Sequence, residues 1–465
     1  MEQKDTICAI ATATGGAIGI IRVSGPEAIE ITDKIFQPVD EHHTPIKERK
    51  ANTVNFGYVR NNDNEIIDEV LISIFRAPHS YTGEDSVEIS CHGSSYILQQ
   101  VMQMLIKNGC RAAGPGEYTQ RAFLNGKMDL SQAEAVADLI ASTSAATHRM
   151  AMNQMRGGFS RELSDLRDKL LHLTSLMELE LDFSDHEELE FADRSELKNI
   201  AQHIENVIQH LVNSFSVGNA LKNGVPVAIV GETNAGKSTL LNVLLNEERA
   251  IVSDIHGTTR DVIEDTINLE GITFRFIDTA GIRETNDEIE SLGIERSFQK
   301  LDQAEIVLWI IDATCAQEQY QELADKIIPR CKDKHLIIVL NKTDLIDDSS
   351  NIKFNGIPED VRIMLLSAKL KNGISDLQKL LVDYVTLPDI SQNDVIVSNI
   401  RHYEALNHAL DSIHRVQEGL STQIPSDLLS QDLRECLFHL AEIVGGQITT
   451  DEVLGNIFKH FCIGK

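Results

Sequence analysis

No stretch of this 465-residue chain approaches the roughly 18 consecutive apolar residues that a membrane-spanning helix requires, and its start, Met1-Glu2-Gln3-Lys4-Asp5, lacks the basic-then-apolar order of a secretory leader. A soluble, unprocessed, cytoplasmic protein is expected. Positive charge is also scarce: 42 Lys and Arg stand against 71 Asp and Glu, a formal net charge of −29. So acidic a chain has no general attraction for nucleic acid or an anionic membrane, and any nucleic-acid contact has to be local or supplied by a partner. The seven cysteines, at positions 8, 91, 110, 315, 331, 436 and 462, include no Cys-x-x-Cys pair and no closely spaced Cys/His set. That argues against a structural zinc site and suits a reducing compartment.

Phosphate-binding chemistry is present. Gly231-Glu232-Thr233-Asn234-Ala235-Gly236-Lys237-Ser238 follows the apolar run 227–230 and precedes the apolar stretch 240–245, the strand-loop-helix setting of a phosphate-binding loop. The glycines let backbone N–H groups turn toward phosphate oxygens, Lys237 brings a point charge to the β and γ phosphates, and the Ser238 hydroxyl can ligate Mg²⁺.

Two later segments select the base. Asn341-Lys342-Thr343-Asp344 and Ser367-Ala368-Lys369 each follow an apolar run, at expected strand ends. A carboxylate at Asp344 accepts from guanine N1–H and the 2-amino group together, whereas adenine leaves that acceptor unpaired. Between the phosphate-binding loop and these segments, Asp278-Thr279-Ala280-Gly281 places an acid near the metal and a glycine N–H near the γ-phosphate, and Thr259, next to Thr258, is the natural second hydroxyl ligand for Mg²⁺. The nucleotide-contacting set expected is Asn234 to Lys237 with Ser238 and Thr239, the segment Ser253-Asp254-Ile255-His256-Gly257-Thr258-Thr259, and the residues of the three motifs above. One familiar group is missing. The glutamine that orients water after the aspartate-x-x-glycine motif in Ras-like enzymes is replaced by Ile282, which cannot do so. Either hydrolysis is poor or another group supplies the function, and Glu284, Asp287, Glu288 and Glu290 are candidates that spacing does not separate.

The length suggests about three domains at ~150 residues each. Residues 1–118 alternate β-like runs (7–11, 18–23, 54–60, 69–75, 86–90) with polar or Gly-rich turns, an α+β pattern in which 60–68 reads as a hairpin. From 119 the pattern is helical. A capping box at Ser131-Gln132-Ala133-Glu134 precedes an alanine-rich stretch ending at Gly157-Gly158, and Leu163, Leu166, Leu170, Leu173 and Met177 make one apolar stripe. The acidic stretch 178–193 reads as a solvated helix end. Residues 218–385 carry a doubly wound α/β pattern, with strands near 226, 263, 273, 306, 336 and 363, and helices resume at 403–416 and 427–444. The expected architecture is an α+β domain at 1–118 and an all-α helical bundle built from 119–217 and 386–465, with an α/β P-loop domain at 218–385 inserted in it.

Taken whole, the chain closely resembles the MnmE (also called TrmE) family of bacterial tRNA-modifying GTPases. The resemblance is carried by Gly19-Ile20-Ile21-Arg22-Val23-Ser24-Gly25, Tyr81-Thr82-Gly83-Glu84-Asp85, Gly116-Glu117-Tyr118, Arg121-Ala122-Phe123-Leu124-Asn125, the inserted P-loop domain and the final Cys462-Ile463-Gly464-Lys465. It implies GTP hydrolysis driven by dimerisation of the P-loop domains across K⁺, held by Asn234, Ser253, the Ile255 carbonyl and Thr258, with Mg²⁺ on Ser238 and Thr259 and with Glu290 orienting water. It further implies a folate-binding-like amino-terminal domain that forms a constitutive homodimer and takes 5-formyl- or 5,10-methylene-tetrahydrofolate on Arg22, Glu88, Lys127 and Lys465, with the tail folded back to that site. In the family, the folate delivers a one-carbon unit to carbon 5 of the wobble uridine of certain tRNAs, together with the FAD-binding flavoprotein MnmG in a heterotetramer. The acidic charge found above suits a subunit whose partner presents the basic surface to tRNA. The competing reading, an Era-like ribosome-assembly GTPase, needs a basic appendage, and residues 385–465 hold 5 Lys/Arg against 11 Asp/Glu. A third reading, a folate-dependent methyltransferase with a regulatory GTPase, is weakened because no complete transfer site can be read in 1–118. Nothing near Cys462 in sequence activates its thiol as a nucleophile.

Overall fold

The computed structural model describes residues 5–39, 44–61, 63–182, 194–232, 234–248, 265–277, 301–346, 354, 357–358, 361–385, 395–422, 424, 426–446, 454, 457–459 and 461–464. Their contacts divide into two units. One comprises Met1–Ala141, Ala151–Asn206 and Ala405–Lys465, the other Ser142–Met150 and Val207–Glu404.

In the first unit, β1 (Ile7–Ile10), β2 (Ile18–Ser24), β3 (Phe36–Pro38), β4 (Thr53–Arg60), β5 (Ile66–Phe75), β6 (Ser86–His92) and β7 (Arg111–Ala112) form one sheet in the order β3-β4-β5-β6-β2-β1-β7. Alternation sets its two faces. Ile21, Val23, Val70, Ile72, Ile74, Val87 and Ile89 are buried in one cluster with residues of α1 (Ala28–Ile35) and α2 (Ser95–Lys107). On the other face, Phe56 lies opposite Leu71 and both are largely exposed. The connection from Arg60 to Asp68 is the hairpin expected, with a register shift between Val59 and Arg60.

The helices that follow are α3 (Glu117–Leu124), α4 (Leu130–Ala141), α5 (Ala145–Met155), α6 (Gly158–Asp182) and α7 (Arg194–Asn223). Two of these helices differ from the expected pattern. Asp129, not Ser131, caps α4: its Oδ1 accepts from the Gln132 N–H at 2.9 Å while Gln132 Oε1 accepts from the Asp129 N–H at 3.0 Å. A carboxylate is the stronger acceptor at the positive end of a helix, and Ser131 sits inside the first turn with its hydroxyl donated to Asp129. The alanine-rich stretch is also two helices instead of one, because Ser144 and Thr147 cap each other's N–H groups at 3.1 Å and start a new helix there. The stripe Leu163, Leu166, Leu170, Leu173 and Met177 is buried as expected.

In the second unit, β8 (Val225–Val230), β9 (Asp265–Leu269), β10 (Ile272–Phe276), β11 (Ile306–Asp312), β12 (His335–Asn341) and β13 (Arg362–Leu365) form a sheet in the order β13-β12-β11-β8-β10-β9. All pairs are parallel except β9 with β10. The central strand β11 is buried on both faces. Ile306, Leu308 and Ile310 pack with residues of α8 (Lys237–Glu248), and Val307, Trp309 and Ile311 pack with residues of α9 (Ala316–Ile327). Helix α10 (Ile374–Tyr384) lies on the α8 side. The chain then continues through α11 (Ile400–Thr422) and α12 (Ser426–Val444), which spans the 427–444 helix expected. No helix among the described residues is long and apolar enough to cross a membrane.

Candidate functional site

The strand order of the second sheet reverses at β8: the chain moves to β10 and β9 on one side and to β11, β12 and β13 on the other. Ligands of open parallel sheets bind beyond the strand ends at such a point, and Gly231 begins there. Gly231 has φ 147°, and a Cβ on it would lie 2.2 Å from the Ile310 carbonyl oxygen, so only glycine fits. Asn234 turns the loop with φ 65°, and Gly236 follows at φ 97°. Lys237 opens α8, and its Nζ donates to the Gly231 and Glu232 carbonyls, both at 2.7 Å, which holds the ammonium over the loop. Ser238 lies in the same first turn, so its hydroxyl and the helix N–H groups share one end of the element.

The two segments expected to read guanine meet this loop through one buried amide. Asn341 is 2% exposed; its Nδ2 donates to the Ala235 carbonyl at 2.9 Å, and its Oδ1 accepts from the Ala368 N–H at 3.0 Å. One side chain thus joins the phosphate loop, the end of β12 and the Ser367-Ala368-Lys369 segment. A Cβ on Gly236 would lie 2.1 Å from that Nδ2, so the second loop glycine makes room for the clip. Asp344 is exposed in the turn Thr343–Leu345, and the Ser367 hydroxyl donates to its Oδ1 at 2.6 Å. Lys342, with φ 63°, pairs through Nζ with Asp312 Oδ2 at 2.6 Å. Burial pushes the Asp312 carboxyl upward, but the Lys342 ammonium and the Thr314 N–H and hydroxyl outweigh it, and its pKa is lowered. Thr239 and Lys369 are exposed at the edges of the same loops. The cradle that glycine alone permits, with a lysine over it and an exposed carboxylate nearby, fits a guanine nucleotide.

The expected residues Ser253, Asp254, Ile255, His256, Gly257, Thr258, Thr259, Asp278, Thr279, Ala280, Gly281 and Glu290 lie outside the described residues, as do Ile282 and Lys465.

A second cluster sits on the first unit. Arg22 of β2 lies opposite Glu88 of β6, and its Nε and Nη2 donate to Glu88 Oε1 at 3.0 and 2.8 Å. The guanidinium also lies 5.6 Å from the ring centres of both Tyr81 and Tyr118, a cation–π arrangement. The two tyrosines were not among the residues expected at the site, although both lie in motifs that carry the family resemblance. Burial raises the pKa of both phenols. Lys127 rests against the same loop as Tyr81, its Nζ donating to the Pro78 carbonyl at 2.9 Å. The carboxyl-terminal tail reaches this cluster: the Gly116 N–H donates to the Cys462 carbonyl at 3.3 Å, Ile463 bridges to Pro115, and the Gly464 carbonyl accepts from Arg22 Nη1 at 3.3 Å. Gly464 has φ 95°, and a Cβ there would lie 2.7 Å from the Ile10 carbonyl oxygen.

Beneath the cluster, the motif residues make a charged core. Arg121 is 1% exposed and donates to Asp5, Glu84 and Glu117, while Arg111 pairs with Glu117 and Asp5. These residues position Tyr118 and the loop carrying Tyr81. Among the described residues, no group of three or more His, Cys, Asp or Glu side chains is arranged to hold a metal ion.

Comparison with known proteins places two family profiles on the chain. That of the MnmE helical domain matches residues 130–462, and that of the GTP-binding protein TrmE N-terminus matches residues 6–127. A relative from Bacteroides thetaiotaomicron named tRNA modification GTPase MnmE is 68% identical over 468 residues, covering 100% of both chains. One of the same name from Flavobacterium johnsoniae is 50% identical over 472 residues with the same coverage. Among solved structures, Era in complex with MgGDPNP and a 16S ribosomal RNA segment is 30% identical, the match covering 40% of this chain and 66% of that one with a TM-score of 0.28.

Proposed function

The chain belongs to the MnmE family of tRNA modification GTPases, and from that premise we propose that it is a K⁺-activated GTPase working in wobble-uridine modification. That it is a tRNA modification GTPase follows from full-length identity to relatives so named. The finer reading assigns the residues. Asn234 to Thr239 hold the phosphates with Lys237 on the β and γ groups, Asp344 reads guanine beside Lys342, Thr343, Ser367, Ala368 and Lys369, and Ser238 and Thr259 hold Mg²⁺. Ser253 to Thr259 and Asp278 to Gly281 complete the nucleotide contacts, with Glu290 orienting water. K⁺ on Asn234, Ser253, the Ile255 carbonyl and Thr258 would neutralise charge that develops on the phosphates, with no arginine donated from elsewhere. The observation that supports the nucleotide reading is the Asn341 clip, which joins the phosphate loop, the end of β12 and the 367–369 segment at the switch point of one sheet.

For the first unit, we propose a tetrahydrofolate site on Arg22, Glu88, Lys127 and Lys465. It is supported by the Arg22–Glu88 pair between two tyrosines and by the tail carbonyl on Arg22. An arginine and a lysine suit the glutamate tail of such a ligand, a carboxylate suits the N–H donors of its pterin ring, and the aromatic rings suit its flat face. The exposed apolar sheet face at Val54, Phe56 and Leu71 supports a homodimer of this unit. The division into 1–118, 119–217, 218–385 and 386–465, the cytoplasmic location, the heterotetramer with MnmG and the binding of tRNA within that complex belong to the same proposal.

Mass spectrometry of wobble uridines in tRNA from cells lacking this protein tests it. Loss of the carbon-5 aminomethyl or carboxymethylaminomethyl group is expected, and unchanged tRNA overturns the reading. GTP turnover compared in K⁺ and Na⁺ tests the ion, because equal rates remove it from the mechanism.

A further inference from the structure

Resting on the GTP-binding reading above, we propose that Asp312 is a positioning residue for guanine recognition, holding through Lys342 the backbone turn that aims Asp344. Asp312 ends β11 and stands opposite Asn341, the last residue of β12, so the residue after Asn341 leaves the sheet beside the Asp312 carboxylate. That residue is Lys342, and its φ of 63° is a left-handed conformation that residues other than Gly, Asn and Asp seldom adopt. The turn Thr343–Leu345, with Asp344 at its centre, follows directly. What the left-handed residue gains in exchange is the 2.6 Å contact from its Nζ to Asp312 Oδ2.

The carboxylate is the fixed partner of that pair. Its Oδ1 accepts from the Thr314 N–H at 3.0 Å and the Thr314 hydroxyl at 2.8 Å, and the Asp312 N–H donates to Gln319 Oε1 at 2.8 Å. Its side chain is 13% exposed against 31% for Lys342, so the lysine is drawn to a prepared anion. Without that anion, the ammonium has another carboxylate two residues along the chain, Asp344 itself, and a pair formed there would occupy the acceptor that reads the guanine 2-amino group. Asp312 thus keeps the turn in shape and the cation away from the reading carboxylate. It touches no nucleotide atom in this role.

Asp312→Asn keeps the shape and the Thr314 acceptor but weakens the tie. Binding of fluorescent mant-GDP and mant-IDP to the full-length protein reads both consequences, since inosine lacks only the 2-amino group. The expected result is a Kd for mant-GDP raised about tenfold, the loss of one charge-assisted hydrogen bond, with a smaller loss for mant-IDP so that the preference between them narrows. In a Lys342→Gly background, where glycine takes the left-handed turn unaided, Asp312→Asn should cost nothing more. Unchanged mant-GDP affinity, parallel losses for the two nucleotides, or the same loss in the glycine background each overturn the proposal. If Asp312→Asn lowers the thermal midpoint of the protein, Lys342→Met cuts the tie from its other end and must also narrow the preference, by less than Asp312→Asn because no ammonium is left to occupy Asp344; parallel losses for the two nucleotides there overturn the proposal as well. A wild-type protein that binds no mant-GDP overturns the nucleotide reading itself, which separates the two failures.

Discussion

Removing the Asn341 amide should separate the phosphate loop from the end of β12 and the 367–369 segment, and the structure sets the size of the effect. Asn341→Ala deletes two hydrogen bonds, to the Ala235 carbonyl at 2.9 Å and from the Ala368 N–H at 3.0 Å, at a position 2% exposed. Each buried group left unpaired costs about 1–3 kcal/mol, so a loss of about 3 kcal/mol is expected if both relax partly toward water. That corresponds to roughly a hundredfold in a local opening equilibrium. Hydrogen exchange with mass spectrometry on the full-length protein reads it, because the Ala368 N–H reports its own partner: the peptide covering Ala368 should exchange roughly a hundredfold faster while strand β11 stays protected. Nucleotide affinity should fall alongside. Asn341→Asp gives a second reading. It keeps the acceptor for Ala368 but turns an oxygen toward the Ala235 carbonyl. Burial would raise the pKa of the new carboxyl above its unfolded value, so the folded state would bind the extra proton and the variant would lose stability as pH rises. Unaltered exchange at Ala368 in Asn341→Ala, with unaltered affinity, would refute the clip.

Gly231→Ala should abolish mant-GDP binding and destabilise the second unit by at least about 3 kcal/mol, since a Cβ 2.2 Å from a backbone oxygen combines with a φ of 147°; near-native binding would contradict the cradle. Arg121→Met should cost the first unit about 3–5 kcal/mol in thermal or denaturant unfolding, because three carboxylates lose a buried cation, and a change under about 1 kcal/mol would contradict that. The same cluster predicts acid sensitivity. Burial alone would raise the Glu117 pKa, but Arg111, the Gly114 N–H and Arg121 hold it below 4.5. A carboxyl depressed in this way contributes fully above its unfolded value, and the contribution is lost as pH falls from 4.5 through the lower folded value. Unfolding midpoints that stay flat over that window would remove Glu117 as the cause. Under the proposed mechanism, Glu290→Ala should lower the GTP turnover rate with mant-GTP affinity nearly intact, and an unchanged rate moves the role elsewhere.

What the sequence revealed and what it hid have one physical cause. The strands β8, β11 and β12 are continuous apolar runs because both of their faces are covered, and β8 and β12 each end in a motif, so their order along the chain could be read directly. Asn341 was legible as a member of a guanine motif, yet its reach to Ala235 spans 106 positions and depends on the bare backbone of Gly236. The same holds for Arg22, which was expected at a ligand site although its contact with the Gly464 carbonyl lies 442 positions away. Tyr81 and Tyr118 carried no mark of their own beyond their place in two motifs. At α4 the failure was local: two candidate caps lay two residues apart, and the carboxylate of Asp129 prevailed over the hydroxyl of Ser131.

Asn234 shows how two readings of one residue can both hold. It has φ 65° and an exposed side chain, and asparagine is among the few non-glycine residues that accept this conformation readily. As a turn residue it needs only that backbone freedom, whereas as a cation ligand it needs its amide oxygen. The left-handed turn is compatible with both, because it lets the backbone continue into the phosphate loop while the side chain remains outside. Substitution can therefore divide the roles. Asn234→Gly keeps the turn and removes the oxygen, so mant-GDP affinity should stay near the wild-type value while any stimulation of turnover by K⁺ over Na⁺ disappears. Asn234→Ala removes both, and the strain of a left-handed alanine, about 1–2 kcal/mol, should appear as roughly a tenfold weaker affinity. Stimulation that survives in Asn234→Gly would leave the residue with the turn alone, and affinity that collapses in Asn234→Gly would mean that the amide contacts the nucleotide loop itself.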